Sequence, residues 1–172
     1  MTLPKLLKRI VPDSGNPGES SAECSGLRIQ TGALPWRITP AEKPEVLLVT
    51  GRRSGRWMIP KGWPMPGKSL AKAAEREAYE EAGVEGAVGA TPIGQFDHVK
   101  QSSPLGPLKV RILVHHLVVE RELAQWPEHG QRQRTWFSLE EAAQKVDSRE
   151  LGAMILQLRG IAASDPKAPD QP

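Results

Sequence analysis

The chain has 172 residues, which suits a single domain able to bury one substantial core. Hydrophobic residues make up 38% and charged residues 25%, which excludes a membrane-embedded chain and a wholly disordered one. The net charge of +3, from 23 basic and 20 acidic residues, is too small an excess to point to nucleic acid or a membrane surface as partner.

The chain opens on Met1–Pro12, which is basic and apolar but lacks a continuous hydrophobic stretch and a cleavage site. Residues 12–26 are rich in Pro, Ser, Gly and Glu, so 1–26 reads as a disordered or extended arm. Cys24, the only cysteine, excludes an intramolecular disulfide and fits a reducing cytoplasm. The folded domain is expected over 27–163. The remainder, 164–172, carries three prolines and reads as a disordered tail.

Leu27 to Ile38 reads as an extended segment interrupted near Pro35. Glu45–Thr50 is a short β-branched apolar run, a buried strand. The turn Gly51–Arg56 joins it to Trp57–Pro60 in a hairpin. Lys61–Lys68 holds two prolines and two glycines and is expected to be a loop. A helix follows from the cap Ser69 to Ala82, stopped by Gly83. Strands are expected over Val88–Val99 and Leu108–Val119, joined through Pro104–Pro107, and again over Arg134–Phe137. Ser138 with Glu141 forms a capping-box pattern, and Arg149–Ile161 is a last helix. Strands mixed with such helices imply an α/β or α+β sandwich.

The helix after Ser69 carries the chemistry. At ~100° per residue, Ala71, Ala74, Ala78 and Ala82 form a small-residue stripe for close packing on a sheet. Glu77, Glu80 and Glu81 point roughly the other way. Glu77 and Glu81 are a like-charge i,i+4 pair costing ~0.2–0.5 kcal/mol. Three acids near the helix C-terminus also oppose its dipole. Arg76 can meet Glu80, but one guanidinium cannot neutralise three carboxylates. A hard divalent cation can, because such ions take oxygen ligands. A solvated charged face is the plain alternative for the helix taken alone. The rigid Gly/Pro loop before it and the glycine after it favour a site.

Gly62 followed at fixed offset by Arg76-Glu77-Ala78-Tyr79-Glu80-Glu81-Ala82-Gly83-Val84 resembles the signature of the Nudix family, G-x5-E-x7-R-E-U-x-E-E-x-G-U, with U bulky or apolar. Trp57–Gly62 and Arg134–Phe137 are also similar to the family, so the resemblance spans roughly residues 27–160. It implies an α/β/α sandwich, a mixed β-sheet flanked by helices. One position departs: the signature's first glutamate falls on Lys68. That lysine can offset the acids, contact phosphate or be a solvated loop residue.

The resemblance implies a pyrophosphohydrolase in which Glu77, Glu80 and Glu81 ligate Mg²⁺ or Mn²⁺, with the Gly62 carbonyl as a further ligand. Arg76 would orient Glu77 or Glu80, and Glu77 is also a base candidate. Family members often place another acid in a later loop; Glu128 is the choice here, with Glu120 and Glu122 as alternatives. Lys61, Lys68, Arg52, Arg53, Lys109 and Arg111 are the candidate phosphate contacts, the last two sharing one strand face. His115 and His116 are adjacent on a strand and face opposite ways, so they cannot jointly hold a metal. Trp63, in the Gly/Pro loop, is the best of the tryptophans for a substrate contact.

The loop Pro60–Gly67 and the ending Arg134–Phe137 look most like the branch acting on diphosphoinositol polyphosphates and dinucleoside polyphosphates. The expected substrate is a nucleoside diphosphate linked to another group or a related polyphosphate. An ADP-ribose hydrolase fits less well: that branch often carries a proline about where Val99 stands. The partner is therefore a phosphorylated small molecule, with neither membrane nor nucleic acid expected and an oligomer left open. The alternative is a catalytically silent Nudix domain that binds a nucleotide and signals to a partner. Lys68 favours it, and the three acids with Arg76 oppose it.

Overall fold

The computed structural model describes residues 27–100 and 106–164. The expected arm over 1–26, residues 165–172 of the tail and residues 101–105 of the connection lie outside the described residues.

Among the described residues, eight strands form one mixed sheet: β1 (Arg28–Ile38), β2 (Pro44–Thr50), β3 (Trp57–Met58), β4 (Lys61–Gly62), β5 (Val84–Val88), β6 (Gly94–Lys100), β7 (Leu108–Glu122) and β8 (Arg134–Ser138). The central pair, β1 with β7, is parallel; the others are antiparallel. Among the same residues, three α-helices flank the sheet: α1 (Leu70–Glu77), α2 (Leu139–Lys145) and α3 (Arg149–Ser164). On one face Ala74, Ala78 and Ala82 of α1 and its continuation pack against Ala33, Leu47, Val49 and Leu117. On the other, Leu139, Leu151, Ile155 and Leu158 of α2 and α3 pack against Leu34, Leu48, Ile112 and Val114. Alternate strand residues feed opposite layers, and the result is the expected α/β/α sandwich. The alanine stripe is buried as expected.

Four local expectations change. Strand β1 runs unbroken through Pro35, which pairs in register with Leu117. On its other side β4 pairs Thr31 and Gly32, and β2 pairs from Trp36 onward. Pro35 thus lies in the gap between two partners, where a missing N–H does least harm. Lys61 and Gly62 are not loop but strand β4, held against β1. The strand expected over Val88–Val99 is two strands, β5 and β6, that divide the long β7 between them. Gly89, pressed against the His116 ring, and Pro92 lie in the break.

The helix is the fourth. It is α-helical from Leu70 to Glu77 and then π-helical from Ala78 to Ala82. Ser69 caps it as expected, accepting from the Lys72 N–H. Gly83 ends it with φ 62° and ψ 41°, and a Cβ there would lie 2.5 Å from the Trp126 ring. Left-handed backbone and close approach both demand glycine. The capping box of Ser138 and Glu141 is present on α2.

Candidate active site

Short strand β4 and helix α1 meet at Gly62. A Cβ on Gly62 would lie 1.9 Å from Glu77 Oε1, so the Glu77 carboxylate occupies the space that any other residue would fill. One turn on, Glu81 is 7% exposed and accepts from the Lys61 backbone N–H at 3.2 Å. Glu128 comes from the loop after β7, which is tied to the helix by its N–H donating to the Glu80 carbonyl at 3.1 Å. Glu77, Glu81 and Glu128 face one cavity of about 340 Å³, with Lys61, Arg52 and Trp63 also on its walls.

Arg132 organises this cavity, and nothing in the sequence motif announces it. Its guanidinium donates to Glu81, to Glu128 Oε2 at 2.5 Å and to the Thr50 carbonyl at 3.0 Å, with its side chain only 7% exposed. Arg52 reaches the same Glu128 from the rim at 3.4 Å. Two residues on, at the start of β8, Arg134 donates to the carbonyls of Ala82 and Gly83, and its guanidinium stacks 4.0 Å from the Trp126 ring centre. It caps the helix end that carries the acids. The alternation Gln131-Arg132-Gln133-Arg134 was the available signal, since alternate residues of an extended chain share a side.

The local field is strongly negative. Burial, then Glu81, Glu80 and Glu128, push the Glu77 carboxyl up to about 7, against the opposing pull of Arg132. Burial also raises Glu81, opposed by Arg132 and Lys61. Carboxylates forced together over a backbone cradle suit a hard cation. Among the described residues, no three His, Cys, Asp or Glu side chains are gathered closely enough to ligate one ion by themselves. Arg132 stands between Glu81 and Glu128. The donor set therefore fits an ion that takes one or two carboxylates and fills its shell with water and substrate oxygens, as Mg²⁺ does.

Other candidates are dispersed. Glu80 does not line the cavity; it accepts from Arg76 at 2.5 Å, and its charge still acts on Glu77. Arg53 borders an open depression beside the cavity, shared with Arg52 and Arg132. Lys68 and Arg76 line a separate depression between α1 and β5, together with Glu120. Glu122 is engaged by Arg37 at 2.7 Å and by the Trp136 indole. Arg111 grips Asp97 through two bonds of 2.7 and 3.0 Å, and Lys109 is exposed beside it on β7. His115 is buried with its Nδ1 against the Gly89 carbonyl, and His116, on the opposite sheet face, is half-buried.

The NUDIX domain family model matches residues 31–157. Among curated proteins, the chain is 33% identical to Nudix hydrolase 16, mitochondrial, of Arabidopsis thaliana, over 69% of this chain and 72% of that one. It is 36% identical to Nudix hydrolase 18, mitochondrial, of the same plant, over 68% of each. Among solved structures, a C. elegans Ap4A hydrolase binary complex superposes with a TM-score of 0.59 at 23% identity, covering 80% of this chain and 99% of that one. The NUDIX domain of Shewanella oneidensis NrtR complexed with ADP ribose superposes with a TM-score of 0.58 at 16% identity, covering 79% and 88%. At those identities the structures speak for the fold alone.

Proposed function

The chain belongs to the NUDIX family and is a pyrophosphohydrolase, and from that premise we propose that it cuts a phosphoanhydride bond at the Gly62–Glu77–Glu81 cavity. The substrate is a nucleoside diphosphate linked to another group, or a related dinucleoside or diphosphoinositol polyphosphate. The observation that carries the reading is the Glu77 carboxylate seated on Gly62, which joins the two halves of the sequence signature in one place.

Glu77, Glu81 and the Gly62 carbonyl are the groups we assign to Mg²⁺ or Mn²⁺, with Glu128 adding negative charge on the cavity wall and Glu80 from outside it. When bound, the ion sets positive charge against phosphate oxygens and makes water a better nucleophile. Glu77 is also the candidate base, a carboxylate placed at the cleavage cavity. Arg132 fixes the directions of Glu81 and Glu128 by charge-assisted bonds. Lys61 and Arg52 on the walls, and Arg53 beside them, are the basic groups placed to meet phosphate. Lys68, Lys109 and Arg111 line neither the cavity nor the depression beside it. Lys68, the feature that spoke for a silent domain, therefore takes no space from the carboxylates.

The lone cysteine supports a reducing compartment, and we place the protein in the cytoplasm. Among the described residues no helix is long and apolar enough to cross a membrane.

A screen of nucleotide and inositol pyrophosphates with and without Mg²⁺ tests the proposal. The parent protein is expected to turn over at least one substrate in a metal-dependent way. Tight Mg²⁺-dependent nucleotide binding without turnover of any substrate would establish the silent domain instead.

A further inference from the structure

Met58 ends β3 and Lys61 begins β4, and their side chains meet, with Lys61 Nζ 3.0 Å from Met58 Sδ. The Met58 methyl rests on the turn after β2, where a Cβ on Gly51 would lie 2.9 Å from Cε and 3.7 Å from Sδ. The methyl is held against backbone, and the sulfur is turned to the ammonium. Met58 is half-buried and lines a cavity of about 390 Å³ beside the carboxylates. Lys61 lines both cavities, so one side chain separates the sulfur from the phosphate path.

The Lys61 backbone is fixed: it pairs with Gly32, and its N–H donates to Glu81. Only the side chain changes partners. A thioether is a weak acceptor, so the ammonium leaves Met58 readily when phosphate arrives. A sulfoxide oxygen is a strong dipolar acceptor, and its bond from an ammonium is charge-assisted. Methionine reaches that state in one step with hydrogen peroxide. The sulfur attacks one peroxide oxygen, an S–O bond forms and the O–O bond breaks. Hydroxide leaves with the bonding pair and takes the proton of the new S–OH group, ending as water. The sulfur is oxidised by two electrons and the peroxide reduced by two.

We infer that Met58 is a redox-sensitive modification site: hydrogen peroxide converts its thioether to a sulfoxide, which holds the Lys61 ammonium away from substrate phosphate. Methionine sulfoxide reductase reverses the change. The inference rests on Lys61 as a phosphate contact in the hydrolase reading, but its test does not depend on turnover.

Trypsin separates the methionines of this region, since Met58 falls in the peptide 57–61 and Met65 in 62–68. The protein is treated with hydrogen peroxide and then with dithiothreitol, which returns Cys24 to the thiol. Mass spectrometry is expected to find the sulfoxide on Met58, with the buried Met154 still reduced. Binding is read with methylenediphosphonate, a non-hydrolysable pyrophosphate analogue, in Mg²⁺. Its Kd is expected to rise ~10-fold on oxidation, the order of one charge-assisted contact, and to return after reductase treatment. Met58→Leu, a swap that conserves volume, should bind like the untreated parent and ignore peroxide. Met65→Leu should stay as sensitive as the parent. A crystal structure of the oxidised protein should place the sulfoxide oxygen within hydrogen-bond distance of Lys61 Nζ. A Met58 that stays reduced, a sulfoxide turned away from Lys61, or a Kd unchanged by oxidation overturns the inference. So does a Met58→Leu variant as sensitive as the parent, or an untreated parent that does not bind the analogue. If oxidation weakens analogue binding through Met58 while no pyrophosphate is hydrolysed, the hydrolase reading fails and the modification site stands.

Discussion

Helix α1 borders two depressions, and its charged side chains meet opposite circumstances in them. Toward β5, Lys72 pairs with Glu75 at 2.6 Å and Arg76 with Glu80 at 2.5 Å, one cation to one acid. Those partners keep a third or more of their side chains in water, apart from Glu80 at 32%. Such pairs contribute ~0–1 kcal/mol. Toward β4, Glu77, Glu81 and Glu128 converge around Arg132, a single buried guanidinium. The residue types match on the two sides. Burial and convergence alone separate a solvated surface from a site with raised carboxyl pKa values, and strand β4 with the loop between β7 and β8 supply both.

The largest test of that contrast is Arg132→Leu. Removing one partner of a buried ionic cluster leaves charges unpaired and costs ~3–5 kcal/mol. Thermal unfolding should drop by ~10 °C for a domain of this size, and Mg²⁺ should restore part of the loss. An unchanged Tm would mean that water already screens the cluster. Glu81→Gln comes next: Mg²⁺-dependent hydrolysis should fall at least ~100-fold, the order expected when a principal catalytic group is removed. Circular dichroism should stay the same, and activity within a few-fold of the parent would remove Glu81 from the mechanism.

Gly62→Ala follows, with a ~10–100-fold loss, because its Cβ needs the space of the Glu77 carboxylate and small displacements at a reacting centre are costly. The fold should survive, since the obstructing atoms end a flexible side chain. Full activity would show that Glu77 works from another position.

A smaller effect lies in pH. In the folded protein the Glu77 carboxyl titrates at about 7 rather than 4.5, so the native state holds a proton that the unfolded chain has released between those values. Stability of the metal-free protein should therefore fall as pH rises from about 4.5 to 7 and level off above. Discounted for partial exposure, the fall is ~2 kcal/mol or ~5 °C in Tm. Glu77→Gln should flatten the profile; a parent whose Tm is level or rises across that window refutes the raised pKa. The smallest effect belongs to the β5 side. Lys68→Glu restores the family's usual acid in a depression away from the cavity and should change kcat/KM by less than ~3-fold. A large gain would mean that Lys68 acts on the carboxylates at a distance.

Much of this was legible along the chain. The alanine stripe, the Ser69 cap, the Gly83 stop, the Ser138 capping box and the acids with Gly62 are local patterns, and their physics is local. The errors arose where a long-range partner decides. Pro35 reads as a strand breaker until β2 and β4 are seen to leave a gap where no N–H is needed. Lys61 and Gly62 read as loop because only their pairing with β1 makes them strand. The Val88–Val99 run concealed a break that only the shared register with β7 exposes.

By itself, then, the sequence determined that Glu77, Glu80 and Glu81 are spaced on one helix and that Gly62 stands at the right distance to meet them. Intervals of three, four and fifteen residues are enough for that. Tertiary structure decided which carboxylates share a cavity, that Glu128 joins Glu81 there, and that Arg132 holds them. Those outcomes depend on loop closures of some 50 residues, from Glu81 to Arg132, and on the burial that strengthens every charge within them.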